Sequence, residues 1–191
     1  MSTPKQRRPG RDHLVATAMS LFARHGVSDT SLQKIADEAG VTKAAVYHHF
    51  RSKDLIVSAV MEPVLVEIDA SVRRAAVIDD PDARLDALLN DLAEQAVTHH
   101  DLYAIVLRDV AMGRLSDRAL AIFSQLESAL AGHAPTPGRQ VRVAMFLSGL
   151  IGPAVDPRIS DVDTSIVKSE ILAVGRALLS SCAASPREGD R

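Results

Sequence analysis

The residues best suited to chemistry are Thr42, Lys43, Tyr47, His48, His49 and Lys53, which follow one another closely near the N-terminus. Thr42, placed at a helix start, can cap the backbone and offer its hydroxyl and the free N–H groups to a phosphate. Capping alone would account for it equally well. Lys43 falls in the first helical turn, where the helix dipole disfavours a cation, and its placement is easier to explain if a phosphate or a guanine edge is its partner. Tyr47 brings an aromatic body with a polar end one turn later, and packing on a neighbouring helix is its alternative role. His48 and His49 can each donate a hydrogen bond, which protonation would strengthen. A second cluster, His99-His100-Asp101, raises a metal-dependent helical enzyme as an alternative. Adjacent histidines on a helix project about 100° apart, and no His-x-x-x-His or Glu-x-x-His pairing lies nearby. The reading is therefore of a binding protein and not an enzyme, with no metal and no cofactor expected.

The elements that must hold these groups are helical. Apolar periodicity of the helical kind runs almost throughout, and no segment alternates as a strand would, so the fold class is all-α. Leu14, Val15, Ala18, Leu21 and Phe22 form the apolar face of a first helix ended by Gly26. Thr30-Ser31-Leu32-Gln33 has the form of a capping box with Thr30 as cap, opening a second helix whose buried stripe is Leu32, Ile35, Ala36 and Ala39. Gly40 can take the left-handed conformation that stops it, and Val41 can turn inward at the corner. Thr42 caps a third helix, Lys43 to His49, with Val46 and Phe50 as core, and Ser52 caps a fourth. That fourth helix runs from Lys53 to about Val77, with Pro63 expected to bend it or break its hydrogen bonding. Asp80-Pro81 opens the next. Another begins at His100 or Asp101 and ends near Gly113, Ser116 caps one after it, and the 132–138 stretch is the clearest linker. Two apolar helices follow, about Arg139 to Val155 and Val162 to Ser180, and then a frayed tail.

The whole chain of 191 residues carries 22 Lys and Arg against 24 Asp and Glu, a net charge of −2. That total conceals a split. Residues 1–53 hold nine basic and four acidic side chains, a net of +5, and the remainder thirteen and twenty, a net of −7. A basic segment joined to a larger acidic one suggests a polyanion-binding module attached to a body with another task, although a chance cluster of surface charge would look the same. At 47% hydrophobic and 24% charged the chain is neither disordered nor membrane-like. Its longest uncharged stretch, Val143 to Val155, is too short for a bilayer span, and a single Cys182 excludes an intramolecular disulfide framework. A cytoplasmic protein without a membrane partner is expected.

The run from Thr30 to Leu55 resembles the DNA-binding signature of the tetracycline-repressor (TetR) family, through Ile35-Ala36, Ala39-Gly40-Val41, Tyr47 followed by Phe50, and then Lys53 and Leu55. The strong resemblance covers about residues 11–60. It implies an N-terminal three-helix helix-turn-helix domain reading the DNA major groove, with a C-terminal helical regulatory domain that dimerises through a four-helix bundle and encloses a small-molecule pocket. Carried over as DNA-binding residues are Thr30, Ser31, Thr42, Lys43, Ala44, Ala45, Tyr47, His48 and Lys53, the last as a phosphate contact at the start of the fourth helix. Two positions depart from the family pattern. Ala44 stands where glycine is frequent and Ala45 where Ser or Thr is, so thymine methyls are available partners in place of a hydrogen bond. Arg7, Arg8 and Arg11, with Lys5, form an arm of the kind that enters a minor groove, and a merely solvated arm is the alternative.

The resulting division is 1–53 for the arm and DNA-binding domain, 54–180 for the ligand-binding and dimerisation domain, and 181–191 for a flexible tail. Met145, Gly149, Leu150, Ile171 and Leu178 are candidate dimer-interface residues, since the last two helices carry more apolar surface than one core requires. The candidate effector pocket comprises His99, Tyr103, Met112, Phe123 and Phe146. With no Trp and few aromatics, it suits a ligand with an apolar body and one polar end. The expectation is a homodimeric repressor released by a small-molecule effector from a palindromic double-stranded operator. An activator or a ligand-independent regulator of the same fold is the alternative.

Overall fold

A computed structural model of the protein describes residues 10–100, 102, 116–150, 152–159 and 161–180. The arm residues Lys5, Arg7 and Arg8, the pocket candidates Tyr103 and Met112, the expected helix ending near Gly113, and the 181–191 tail lie outside them. The described residues form helices α1 (Arg11–His25), α2 (Leu32–Glu38), α3 (Lys43–His49), α4 (Lys53–Ala76), α5 (Pro81–Thr98), α6 (Asp117–Ala131), α7 (Pro137–Gly149), the single turn α8 (Gly152–Val155), a 3₁₀ turn (Pro157–Ile159) and α9 (Thr164–Leu179). No strand occurs among them.

Local stereochemistry accounts for most of these boundaries. The side chains of Thr42, Ser52, Asp80 and Ser116 each accept a hydrogen bond from the backbone N–H three residues on, satisfying one of the donors a helix start leaves open. Gly40, at φ +66°, makes the left-handed corner between α2 and α3, where a side chain would be strained. The second helix starts differently from the expectation. Ser31, not Thr30, is its cap, accepting from the Lys34 N–H at 3.1 Å. Thr30 is buried at 1% exposure and its hydroxyl instead donates to the Gly26 carbonyl at 2.8 Å. Gln33 does not reach back either; its amide donates to Asp37 one turn ahead.

Pro63 lies within α4, where it was expected, on the exposed side of the helix. Two further boundaries depart from the sequence expectation. The last residues of the expected linker are already helical, because Thr136 caps α7 and Pro137 occupies its first turn, a position that needs no N–H donor. At its other end α7 stops at Gly149, well before Val155, and Pro153 lies in the separate turn α8 that follows.

One hydrophobic core runs through these helices, from Leu14, Phe22, Ile35, Val46 and Phe50 at the N-terminal end, along Ile56, Val60, Val64 and Ile68 of α4, to Leu88, Leu89, Leu92, Leu126, Phe146 and Leu179. Helix α4 packs on α1 and also on α5 and α6, so it belongs to both ends of the molecule. Helix α9 packs on α5 and α7. Gly175 makes that approach possible: a Cβ there would stand 2.7 Å from Leu89 Cδ2 and 2.8 Å from Phe146 Cε2. Exposed ion pairs flank the contact, Lys168 to Glu94 and Arg176 to Asp86. Arg139 at the start of α7 donates to the carbonyls of Leu130 and Leu179, which end α6 and α9, while its Nε is buried without a partner. Burial and the neighbouring Arg142 hold its pKa below the ordinary arginine value. Among the described residues no helix is long and apolar enough to cross a membrane.

The Gly175 contact yields a direct expectation. Replacing Gly175 with Val should overpack the α9 seat and lower stability by about 1–3 kcal/mol, read as a lower urea midpoint at unchanged slope. An unchanged midpoint would mean that α9 sits farther from Leu89 and Phe146 than described.

Candidate nucleic-acid interface

Helix α3 has a buried side and an open side. Val46 and Phe50, one helical turn apart, are buried in the core, which turns Lys43, Ala44, Tyr47 and His48 outward together. Ala45 is half-buried between the two sides. Tyr47 is 45% exposed and so does not pack away on α1; its ring instead lies 5.8 Å from the Lys43 ammonium. That geometry is a cation–π contact which holds both side chains on one face. His48 and His49 meet edge to face with ring centroids 5.3 Å apart, both exposed.

The surroundings hold α3 rigidly. The Val41 N–H donates to the Ala36 carbonyl at 2.9 Å across the Gly40 corner, and Arg24 of α1 pairs with Glu38 at the end of α2 at 2.7 Å. The helix starts of α2, α3 and α4 are each capped by a hydroxyl, from Ser31, Thr42 and Ser52. Ser31 and Thr42 are exposed, so their hydroxyls remain within reach of a ligand as well.

Three of the residues expected to touch DNA are placed otherwise. Thr30 is removed from the surface by the Gly26 hydrogen bond already described. Lys53 is half-buried, and its ammonium donates to the carbonyls of Val27 at 2.8 Å and Ser28 at 3.3 Å, in the turn between α1 and α2. The family resemblance implied a phosphate for it, and these acceptors lie far back along the chain. Arg11 is the first residue of α1, not part of a loose arm, and its guanidinium lies 5.2 Å from the Phe50 ring centroid. Conversely, Arg51 was passed over in the sequence. It is exposed at the α3–α4 corner, and only its charge could have pointed to it.

Of the effector candidates, His99, Phe123 and Phe146 are among the described residues. His99 is half-buried and its Nε2 is 3.0 Å from both carboxylate oxygens of Glu67 on α4. Phe123 packs against the core on α6. Phe146 lines a groove of about 300 Å³ between α7, the 152–159 segment and α9. Four of the five interface candidates, Met145, Gly149, Leu150 and Ile171, line the same groove, whereas Leu178 packs inward against the core. Phe146 therefore shares one groove with those four residues. Sequence reasoning also missed Gln95, which is buried and donates to Ser71 Oγ at 3.0 Å but leaves its Oε1 unpartnered. Among the described residues no group of three His, Cys, Asp or Glu could hold a metal ion.

Residues 14–60, which span α1 to the first turns of α4, match the family model of the bacterial regulatory proteins of the tetR family. The likeness to the TetR family covers these 47 of the chain's 191 residues. The transcriptional repressor KstR2 of Mycolicibacterium smegmatis is 32% identical over 117 residues, 60% of this chain and 56% of that protein. The probable acrEF/envCD operon repressor of Escherichia coli is 40% identical over 73 residues, 37% of this chain and 33% of that one. The matched stretch thus spans about half the length, or less, of these relatives. Among solved structures, the ketosteroid transcriptional regulator KstR2 of Mycobacterium tuberculosis aligns over 90% of this chain and 96% of its own at 20% identity, with a TM-score of 0.69. PfmR of Thermus thermophilus aligns over 87% and 96% at 22% identity, with a TM-score of 0.68. These two likenesses establish the TetR-family fold.

Within residues 14–60 the Thr42 cap is the element most open to a stability measurement. Thr42→Ala should remove the hydrogen bond to the Ala45 N–H and cost about 1 kcal/mol, whereas Thr42→Ser should cost a few tenths at most. Equal stability of all three proteins in urea would show that Thr42 does not cap α3.

Proposed function

We propose that the protein is a sequence-specific DNA-binding transcriptional regulator, a homodimeric repressor released from its operator by a small-molecule effector. The observation that carries this reading is the outward face of α3, where Lys43, Ala44, Tyr47 and His48 stand together because Val46 and Phe50 are buried behind them. A short helix with a hydroxyl-capped start and a cation in its first turn fits the major groove, and the caps at Ser31 and Thr42 suit backbone phosphates. The reading needs a two-fold partner, since such helices read half-sites about one helical turn apart. The exposed apolar residues Met145, Ile166 and Val174 rim the groove formed by α7 and α9 and support that face as the contact between copies. An effector would act only through its different affinity for the operator-binding and released arrangements. The metal-enzyme alternative gains nothing, because His99 is engaged by Glu67.

Affinity for DNA fragments from beside its own gene, measured between 50 and 200 mM salt, should fall by about 10³-fold or more. Lys43→Ala should change which base is preferred at one position of each half-site, with a cost of about 1–3 kcal/mol. No binding to any such fragment at low salt would overturn the proposal.

Charges placed on the apolar face test the dimer separately. Met145→Glu combined with Ile166→Glu should give a folded monomer in sedimentation and weaken binding to a two-half-site operator far more than to a single half-site. A double variant that still sediments as a dimer would move the interface elsewhere.

A further inference from the structure

Lys53 stands where helix electrostatics disfavours it, one residue after the Ser52 cap and in the first turn of the longest described helix. A cation there needs acceptors close at hand. The side chain folds back to find two, the carbonyls of Val27 at 2.8 Å and Ser28 at 3.3 Å. These belong to a turn whose other groups are also engaged: the Thr30 N–H donates to the Val27 carbonyl at 3.2 Å and the Thr30 hydroxyl to that of Gly26 at 2.8 Å. The turn leads directly into the Ser31 cap and α2, and α2 packs on α3. Lys53 thus ties the start of α4 to the α1–α2 turn through polar contacts. Lys43 and Arg51, by contrast, are exposed cations, and Lys43 lies beside the Tyr47 ring.

We propose that Lys53 is a positioning residue and not a phosphate contact: its ammonium pins the start of α4 to the α1–α2 turn and thereby fixes the angle at which α3 is presented to DNA. The ammonium is a compact donor that can serve two carbonyls from one point. With it in place, a displacement of the start of α4 is carried to the turn, to α2 and so to α3, or else must break the contact. Phosphate neutralisation then falls to exposed cations such as Arg51. This inference rests on the reading of α3 as the DNA-contacting helix.

Two variants of the full chain separate the roles. Lys53→Met keeps the apolar stem and removes the charge. Lys53→Arg keeps the charge but replaces the point donor with a longer planar fork, which suits a phosphate and not this pair of carbonyls. The first measurement is amide hydrogen exchange on the free protein. The Thr30 amide should exchange at least several-fold faster in both variants, and this arm decides the matter even if no operator is found. The second is DNA affinity over a salt series. Both variants should bind all sequences more weakly, by about tenfold, as the competent arrangement becomes less populated, with the slope of log affinity against log salt unchanged. Unchanged exchange at Thr30, or wild-type affinity for Lys53→Arg with a slope for Lys53→Met shallower by about 1.8 for two lost phosphates per dimer, would overturn the proposal. Absence of DNA binding by the unaltered protein, with faster exchange in the variants, would instead discard the DNA reading and leave the tie standing.

Discussion

Burial of Val46 and Phe50 decides what the N-terminal end of the molecule can do. A helix as short as α3 is not stable in water by itself, and it persists here because its inner side joins the core made by α1, α2 and α4. That same burial leaves no freedom in which side chains face outward. Lys43, Ala44, Tyr47 and His48 owe their common direction to residues that never meet the solvent, and a polar group at position 46 would disturb the outer face without touching it.

The rest of the fold extends this constraint over distance. Helix α4 begins at the corner beside α3 and packs on α5 and α6 of the body, so the recognition end and the body share one rigid element. Where α9 seats on that body, it approaches α5 and α7 closely through Gly175, and the Lys168 and Arg176 ion pairs keep its register against α5. Those pairs are exposed and contribute little energy individually; the apolar packing holds the helix. With α9 seated, the groove between α7 and α9 keeps apolar residues such as Met145, Ile166 and Val174 uncovered. The charge split follows the same division, cations near α3 and an acidic body behind.

What was legible in the sequence was what local stereochemistry decides. The Gly40 corner, the caps Thr42, Ser52 and Ser116, the Asp80-Pro81 start, and the buried stripes of α1 to α3 all depend on neighbours a few residues away. The misreadings come from choices made by remote or competing partners. Thr30 and Ser31 are both good caps, and only the Gly26 carbonyl draws Thr30 inward. Lys53 bonds to a turn near residue 27, and His99 to Glu67 on another helix, contacts no spacing rule announces. Similarly, apolar periodicity continues past Gly149, where α7 ends and the separate turn α8 follows.

Arg139 adds a constraint of another kind. Its guanidinium donates to carbonyls in the last turns of both α6 and α9, two helices that reach it from opposite directions along the chain. One cation therefore acts as a common stop for two otherwise independent rods. Insertion of a single residue into either would rotate the accepting carbonyl away by about 100° and leave partly buried guanidinium N–H groups without these acceptors. The lengths of α6 and α9 are consequently matched to each other, and the short 132–136 connection, which looks like a tolerant surface turn, is the place where that match is kept.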